Sequence, residues 1–460
     1  MEYRKAIQKK KLRFWGAADI GEGFVATVTT TFFAVFLTDI ARLPLAWVSL
    51  VMLITSWFDF FIAPTAGAIM STIKPKKWGK LRSWLFICPP IAAFFFVFHF
   101  ASFSNPILTA ITTTGSFMLA RLTYNISWTA NLSMIGVMSS TPKERAKLTS
   151  QRMAGFNIGK LSSGYIAPII VAYFLSTNER FAYPAVMVLA GVILISGHLI
   201  HFNISRGYEN EGSSVDKRDT LTLKEILISL GKNPQLLITI LIDLSSNMGT
   251  FVLPSLVVYY YNYVSGIPTL LSLHLFLTGL GGLCGTLIIR VFGDKIKDHK
   301  KQLLFTYLIV AVLMFSCRFV AYQPYLFLAI NVITQTIIGT NQPLELGLYM
   351  DNVIYNEWKT GINANSAIMG MANLPVKLAI ILRSIIVPFA LMSAGYVAGM
   401  DPTPELKNSL INAYTIIPAI IPLIGFILLK FFYKFSREDV AKMKLEIQQR
   451  KKKEEHYESQ

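Results

Sequence analysis

Long apolar runs follow one another along nearly the whole chain, and they limit its possible folds more than any other feature. The 460-residue chain is 53% hydrophobic and 15% charged, with a mean hydropathy of +0.49. Soluble domains do not have such a composition. Because an apolar helix of about 20 residues spans the hydrocarbon layer of a bilayer, the runs predict an all-α membrane protein. We place twelve transmembrane helices at about 15–38, 45–70, 84–101, 106–136, 152–175, 182–203, 236–263, 268–292, 303–321, 325–349, 362–397 and 412–434.

The distribution of Lys and Arg predicts which ends of the spans face the cytoplasm. The formal charge is +17, and the basic residues gather in the N-terminus, in alternate loops and in the C-terminal tail. The opposite loops hold Arg42, Arg180 and Lys407. Since Lys and Arg mark the cytoplasmic side, we expect both termini in the cytoplasm and a multi-pass protein of the cell membrane. This topology accounts for most of the positive charge, and some basic residues are expected to contact the lipid bilayer. No nucleic-acid partner is therefore expected.

One long polar stretch, 204–235, divides the spans into six and six. The sequence thus predicts an N-terminal half (1–203), a cytoplasmic linker (204–235), a C-terminal half (236–434) and a basic cytoplasmic tail (435–460). Two six-helix bundles joined by a central loop form the major facilitator fold, in which a small solute binds near the membrane midplane.

Asp59 lies within the second apolar run, where a charge is expensive. An ionised side chain near the middle of a membrane-spanning helix costs at least ~2.5–3.5 kcal/mol, so it usually faces a cavity or a partner. A coupling carboxylate would explain its presence. A structural ion pair with Lys377, Lys160 or Arg121 is the alternative.

Arg121, Asn125 and Trp128 form a polar stripe on the fourth span. Their spacing of i, i+4 and i+7 places a cation, an amide and an aromatic ring on one helical face. Sugar sites use planar donors and acceptors for hydroxyls and a ring for the apolar face of the sugar. A stripe of this kind also satisfies a buried arginine, which is the structural alternative.

In the first span, Asp19 and Glu22 share a helical face near the cytoplasmic end. The simplest interpretation is that both carboxylates reach water on the inner side or pair with a loop lysine. Gly16, Gly21 and Gly23 flank them. Glycines at such spacing allow a neighbouring helix or a ligand to approach closely.

The C-terminal half carries three polar or aromatic patterns. Asp243 and Asn247 share a face of the seventh span. The aromatic run 259–263 that follows is most simply an aromatic belt at the membrane interface. A stripe on the tenth span predicts a surface facing the interior or a pore, and it consists of Asn331, Gln335, Gln342 and Glu345.

Three local motifs resemble one known family. After Asp59 and Pro64 comes a W-G-K-x-R-x-W loop at 78–84, and residues 145–152 match R-x-x-L-x-S-x-R. The end of the tenth span, 351–361, reads D-N-V-I-Y-N-E-W-K-T-G. Together they resemble the glycoside-pentoside-hexuronide:cation symporters, the melibiose permease family of the major facilitator superfamily. The resemblance implies symport of a sugar or glycoside with H⁺ or Na⁺ by alternating access, without any other cofactor.

The stripes and the resemblance together give a set of candidate site residues. The predicted cation-coupling residues are Asp59, Asn125 and Lys377. The predicted substrate-binding residues are Arg121, Trp128, Arg152, Lys160, Asn247, Gln335 and Asn373. The predicted gate residues are Asp351, Glu357 and Lys359. The family has carboxylates at three positions where this chain has Gly23, Ala63 and Ile354.

These missing carboxylates leave open which ion, if any, is coupled to the transport of the solute. Sodium prefers several hard oxygen ligands, whereas a proton needs one carboxylate, so H⁺ is favoured over Na⁺. An uncoupled uniporter or a lipid-type carrier on the same fold is the alternative function. No nucleotide-binding loop, metal-ligand cluster or nucleophile elbow occurs in the sequence, so we expect a monomeric transporter that is not an enzyme and holds no metal.

Overall fold

The computed structural model describes residues 13–73, 78–139, 141–209, 233–292, 298–361, 365–397 and 402–458. Over these ranges the fold is helical, and they contain no β-strand. The α-helices of these ranges are α1 (Ala17–Val35), α2 (Leu45–Thr72), α3 (Arg82–His99), α4 (Pro106–Met138), α5 (Pro142–Thr177), α6 (Ala182–Ile204), α7 (Pro234–Tyr259), α8 (Leu270–Phe292), α9 (His299–Ser316), α10 (Pro324–Thr360), α11 (Asn365–Met371), α12 (Leu374–Ser393), α13 (Pro404–Ile427) and α14 (Arg437–Glu458). A π-helical turn extends α1, α7 and α13 at Phe36–Ile40, Tyr260–Val264 and Leu428–Phe432.

Many of these helices are long and apolar enough to cross a membrane. Among the described residues nine helical stretches meet that criterion by length and composition. They are Ala17–Ile40, Leu45–Ile62, Arg82–His99, Lys143–Thr177, Glu179–Ile204, Pro234–Val264, Leu270–Ile289, Ile368–Ser393 and Pro404–Phe432. The chain is therefore a multi-pass membrane protein.

Each of the twelve predicted spans overlaps a helix, although three fall on helices outside that apolar set. These are α4, α9 and α10. The reason is the polar side chains that they carry, such as Arg121 and Asn125 in α4 and Asn331 and Glu345 in α10. The count of twelve transmembrane helices remains a prediction.

Capping residues set several helix ends. The Asn105 side chain accepts a hydrogen bond from the Ile107 amide at 2.9 Å and begins α4. The Thr141 hydroxyl accepts one from the Glu144 amide at 3.2 Å and begins α5. Such caps satisfy the free amides of the first turn. Gly361 ends α10 with φ of 73°, a left-handed conformation that glycine adopts without strain.

The eleventh predicted span is broken into two helices. Its first part is the short helix α11, and α12 begins at Leu374 after a turn at Ala372 and Asn373. Pro375 stands directly after the break, and a proline lacks the amide that would continue a hydrogen-bond ladder. The predicted site residues Asn373 and Lys377 thus flank an interruption, which is where membrane transporters often bind ligands.

The described chain forms two compact units. The first comprises Met1–Asp216, Pro254–Gly279 and Ser384–Leu410, as far as those residues are described. The second comprises the described residues of Lys217–Leu253, Leu280–Arg383 and Ile411–Gln460. Most of the predicted linker, 210–232, lies outside the described residues, so the predicted domain boundaries remain predictions.

Glycines set the helix spacing in the first unit. A Cβ on Gly21 would meet the Leu194 backbone of α6, and a Cβ on Gly23 would meet the Phe156 carbonyl oxygen of α5. A Cβ on Gly159 would in turn meet the Ile20 carbonyl oxygen. The close helix approach predicted for the first span is therefore confirmed, and α1 lies directly against the backbones of α5 and α6.

In the second unit, the C-terminal tail helix packs on the bundle. Val440 of α14 is buried with Tyr433, Tyr307 and Leu348 in one apolar cluster. The Lys300 ammonium donates to the Tyr433 carbonyl oxygen at 2.6 Å. Burial lowers the pKa of Lys300 below its usual value. The predicted basic tail is thus an ordered helix over the described residues and belongs to the second unit.

Candidate functional site

Asp59 contacts Arg121 and Asn125, which lie one turn apart on α4. The Arg121 Nε donates to Asp59 Oδ1 at 2.7 Å, and the Asn125 Nδ2 donates to the same oxygen at 3.1 Å. Asp59 is 3% exposed and Asn125 is 7% exposed. Of the three cations proposed from the sequence, Arg121 is a partner of this carboxylate. The structure therefore brings together two predicted coupling residues and one predicted substrate residue.

Asp59, Arg121 and Asn125 form a triad. Its hydrogen bonds determine how the charges of Asp59 and Arg121 balance each other. Asn125 Nδ2 also donates to the Arg121 carbonyl oxygen at 2.8 Å, which orients its amide along the helix. The Arg121 guanidinium lies 5.0 Å from the centre of the Tyr124 ring, within cation–π distance. A buried charge pair is tolerated when its hydrogen bonds are satisfied. A change of charge on Asp59 would thus act directly on Arg121.

Arg152 binds the two carboxylates of the first span. Its Nε lies 2.7 Å from Asp19 Oδ1, and its Nη2 lies 3.5 Å from Glu22 Oε2. The three side chains are at most 4% exposed. The interpretation that Asp19 and Glu22 reach water or pair with a loop lysine is therefore wrong. Since α1 packs closely against α5, both carboxylates point into the interior toward the arginine.

Trp128 is placed next to this arginine. The Arg152 guanidinium lies 4.9 Å from the centre of the Trp128 ring. Tyr124 stacks on the indole at 6.2 Å, and Phe156 meets it edge-on at 5.9 Å. The ring is half-buried, so part of its surface is accessible to a ligand. The predicted substrate residues Trp128 and Arg152 thus form one contact.

Two histidines that the sequence analysis did not select complete this charge network. His198 Nε2 lies 3.3 Å from Glu22 Oε1. His201 Nε2 accepts a hydrogen bond from the Ala18 amide at 3.3 Å, and His201 Nδ1 lies 2.8 Å from Asn131 Oδ1. Because an amide donates to Nε2, the His201 proton must sit on Nδ1, and the ring is neutral. Only the i, i+3 spacing of these histidines on a span could have signalled this role.

Two further positions of the first unit bear on the predicted site, namely Lys160 and Gly23. Lys160 is exposed, and its ammonium group forms no ion pair with the described residues. It is therefore free to meet a ligand. Gly23 packs against the carbonyl oxygen of Phe156, so the carboxylate that the family carries at this position would not fit this helix contact.

Predicted substrate residues of the second unit are Asn247, Gln335 and Asn373. Asn247 Nδ2 donates to Asp243 Oδ1 at 2.6 Å. Gln335 is half-buried and Asn373 is exposed, while the predicted coupling residue Lys377 is half-buried. The two units carry separate parts of the predicted set, and a common cavity remains a prediction.

The side chains of the predicted polar stripe on α10 do not share one environment, because two of them are buried and one is exposed. Asn331 is buried and accepts a hydrogen bond from the Tyr414 hydroxyl at 2.7 Å. Glu345 is buried and accepts one from the Tyr307 hydroxyl at 2.6 Å. Gln342 is exposed instead. Two members of the stripe therefore bind neighbouring helices of the second unit.

The predicted gate residues lie at the end of α10. Asp351 accepts a hydrogen bond from the Tyr433 hydroxyl at 3.2 Å. Burial raises the pKa of Asp351, and this hydrogen bond partly opposes the rise. Lys359 lies 5.5 Å from the centre of the Tyr355 ring, and the Glu357 carbonyl oxygen accepts from the amide of the capping glycine. A gating role for these residues remains a prediction.

The aromatic run 259–263 is not an exposed belt. Tyr259, Tyr260 and Tyr261 are at most 2% exposed. The Tyr259 hydroxyl lies 2.9 Å from the Thr38 hydroxyl. A belt in the membrane interface would leave these rings accessible, so that interpretation is wrong.

The same region holds a half-buried carboxylate, Asp39. The hydroxyls of Tyr396 and Tyr263 donate to Asp39 at 2.6 Å and 2.9 Å. Asp39 directly follows the first predicted span, and its sequence position alone gave no sign of these contacts. The contacts join α1 to the ends of α7 and α12 within the first unit.

Comparison with known proteins agrees with this arrangement. Residues 14–437 match the family model described as MFS/sugar transport protein. A protein named putative sulfoquinovose importer, from Escherichia coli (strain K12), is 26% identical over 96% of this chain and 94% of its own length. The putative glycoside/cation symporter YagG of the same organism is 24% identical over 91% of this chain and 90% of its own length.

Solved structures show the same fold. The crystal structure of the nucleoside transporter NupG matches with a TM-score of 0.60 at 11% identity, covering 92% of this chain and all (100%) of that chain. At such low identity the likeness concerns the fold alone. The predicted major facilitator fold and the predicted family are both confirmed.

Proposed function

The chain belongs to the MFS/sugar transport protein family, and from this premise we propose that it is a cation-coupled symporter that carries a sugar or glycoside across the cell membrane by alternating access. The protein would act as a monomer, with both termini in the cytoplasm. Its partners would be a small solute and the bilayer. The triad of Asp59, Arg121 and Asn125 is the observation that carries the proposal.

Coupling to a proton follows from the charge balance of this triad. In the ionised state Asp59 neutralises Arg121 at 2.7 Å. A proton on Asp59 would remove that compensation and leave a buried guanidinium without its charge partner, which is costly in a low-dielectric site. Helix movement that gives Arg121 another partner or water would relieve this cost. Protonation would thereby favour one conformation of the transporter over the other.

Sodium coupling would need a different use of the same groups. Asp59 and the Asn125 side-chain oxygen supply few of the oxygen ligands that a metal cation prefers. The Arg121 guanidinium beside them would also repel a sodium ion. We therefore propose H⁺ as the coupling ion.

The solute would bind beside Trp128 and Lys160. The accessible part of the indole can stack on the apolar face of a sugar ring. The free ammonium of Lys160 favours a sugar that carries an acidic group. This preference for an acidic sugar agrees with the relative that is named a putative sulfoquinovose importer.

A uniporter is the second candidate function. Gly23, Ala63 and Ile354 replace three carboxylates that the family carries, and the packing of Gly23 against Phe156 leaves no room for a side chain. Loss of ion-coupling groups would leave a carrier that equilibrates its solute without accumulating it.

Solute uptake into proteoliposomes tests the proposal. Neutral and acidic sugars should be offered under an imposed pH gradient at constant Na⁺, to the parent protein and to Asp59→Asn. We expect accumulation of an acidic sugar by the parent protein and its loss in Asp59→Asn. Glu405→Gln is the matched control, because Glu405 is exposed at the first turn of α13.

Three other results would refute parts of this proposal. Accumulation that follows Na⁺ and ignores pH would replace H⁺ by Na⁺. Equilibration without accumulation would establish the uniporter. Undiminished accumulation in Asp59→Asn would remove this carboxylate from the mechanism.

A further inference from the structure

Two carboxyl groups meet inside the second unit, away from the triad of Asp59. Asp243 lies on α7 and Glu345 lies on α10, and the two residues are 7% and 3% exposed. The Tyr307 hydroxyl contacts both Glu345 Oε1 at 2.6 Å and, at 3.1 Å, the carbonyl oxygen of Ile242, the residue before Asp243, so the two acids are neighbours. Carboxylates inside membrane-spanning helices are rare and are usually functional. This pair therefore needs an explanation.

Hydroxyl and amide groups surround the pair. The Tyr349 hydroxyl donates to Asp243 Oδ2 at 2.9 Å, and Asn247 Nδ2 donates to Asp243 Oδ1 at 2.6 Å. The Tyr307 hydroxyl donates to Glu345 Oε1 at 2.6 Å.

No cation compensates the pair among the described residues. Every Lys, Arg or His of the described ranges lies beyond salt-bridge distance of both carboxyl groups. The charged and titratable groups that face the pair are Tyr307 from α9, Tyr349 from α10 and the two acids themselves. This distinguishes the pair from Asp59 and Asp19, each of which has an arginine.

The proximity of the two acids implies a bound proton. Two negative charges this close, with no cation beside them among the described residues, would repel each other strongly in a low-dielectric interior. One proton held between the acids removes this repulsion. The remaining negative charge is then stabilised by the two tyrosine hydroxyls.

A small cavity beside the pair offers a route for this proton. It measures about 20 Å³, and Ser246, Tyr307 and Asn341 are among its lining residues. Such a volume is enough for about one water molecule. Tyr307 is also the residue that donates to Glu345, so the cavity reaches a donor of the pair directly.

Asn341 provides an independent indication that this cavity binds a ligand. This residue is 1% exposed, and its Oδ1 has no hydrogen-bond partner among the residues that the structure describes. It precedes Glu345 by one turn of α10, so both side chains lie on one face. A buried amide oxygen without a donor costs stability. A hydrogen-bond donor in the cavity, such as a water or a hydrated proton, would satisfy it.

We propose that Asp243 and Glu345 together bind one exchangeable proton, which enters and leaves through the cavity at Asn341. Binding changes the charge of the pair from −2 to −1. The site is separate from Asp59, and the proposal goes beyond the proposed function because proton binding here requires neither a solute nor transport.

Infrared spectroscopy of the purified full-length protein in lipid nanodiscs tests the site directly. A protonated carboxylic acid gives a carbonyl band that shifts in D₂O, and this band should be present at pH 7 in the parent protein. Asp243→Asn and Glu345→Gln should each remove it, because a single acid no longer needs a shared proton. Asp351→Asn is the control, since Asp351 lies outside the pair and bonds to Tyr433. It should leave the band unchanged.

A milder variant keeps the test valid if an acid substitution prevents folding. Tyr349→Phe preserves both acids and removes one donor to Asp243, and it should shift the pH at which the band disappears. Asn341→Leu closes the route and should slow hydrogen–deuterium exchange of the band without removing it.

Three outcomes would contradict the proposal that the pair binds an exchangeable proton. A band that persists in both acid variants, or is absent from the parent protein at pH 7, would overturn the proposal. A band that appears only when Na⁺ is withdrawn would assign the pair to a metal cation instead. All of these results are obtained without uptake measurements, so they are independent of whether the protein transports a sugar.

Discussion

Arg152→Gln should destabilise the protein far more than the loss of an ordinary salt bridge. The guanidinium lies 2.7 Å from Asp19 and 3.5 Å from Glu22, and the three side chains are 4%, 1% and 0% exposed. Water cannot replace the lost cation at such burial. Removing one partner of a buried charge pair costs about 3–5 kcal/mol, because the other charge stays buried and uncompensated. We expect a loss in this range, a large part of the ~5–15 kcal/mol total stability of a typical protein.

The assay is unfolding by SDS in mixed micelles, followed by tryptophan fluorescence. Arg42→Gln is the matched control, since Arg42 and Glu179 form an ion pair at 3.5 Å with side chains 63% and 47% exposed. Exposed pairs contribute only about 0–1 kcal/mol. The difference between the two arginine variants therefore measures the effect of burial.

A second substitution tests the cause of the loss. In the Arg152→Gln background, Asp19→Asn removes one of the uncompensated charges and should recover about 0.5–3 kcal/mol, the usual range for coupled neighbours. A cost of Arg152→Gln no larger than that of Arg42→Gln would show that burial does not set the loss. A further loss from Asp19→Asn would show that uncompensated charge is not its cause.

Three further substitutions have defined outcomes. Gly159→Leu should abolish the folded protein, measured by size-exclusion chromatography, because its side chain would meet the α1 backbone. Gly136→Leu should be tolerated, since no neighbouring atom of the described residues lies within 4 Å of its Cβ position. Tyr396→Phe should lower the unfolding midpoint, since it removes a donor from the half-buried carboxylate of Asp39 at 2.6 Å, and an unchanged midpoint would contradict this. Ser436→Ala should accelerate amide hydrogen exchange in the first turn of α14, because Ser436 and Asp439 cap it reciprocally. These hydrogen bonds hold the pKa of Asp439 below its usual value, so the difference should be full above about pH 4 and vanish as pH falls through the lowered pKa.

Much of the fold could be predicted because it depends on local patterns. The apolar runs located the helices, and the glycines of the first span predicted its close packing. The break before Leu374 was less predictable, since Pro375 permits either a kink or an interruption. Which of these occurs depends on the neighbouring helices, whose positions a single sequence does not contain.

The candidate site was predicted where its partners share one helix. Arg121 and Asn125 stand four residues apart, so their common face was evident from the spacing alone. The contacts of Glu22 with His198, and of Asp39 with Tyr396, join residues far apart in the chain. They depend on the rotation of each helix about its axis, which hydrophobic periodicity does not determine in spans that are apolar on nearly every side.

The two units stabilise buried carboxylates in opposite ways, and this has a consequence for pH. In the first unit Asp59 and Asp19 each face an arginine, so a proton on either acid removes negative charge that compensates a guanidinium. In the second unit Asp243 and Glu345 face hydroxyls and each other, so a proton relieves repulsion. On the proposals above, acidification would therefore disrupt contacts in the first unit while it consolidates those of the second. A chain with both kinds of site can respond to one proton gradient with unequal changes in its two units, as a proton-driven conformational change requires.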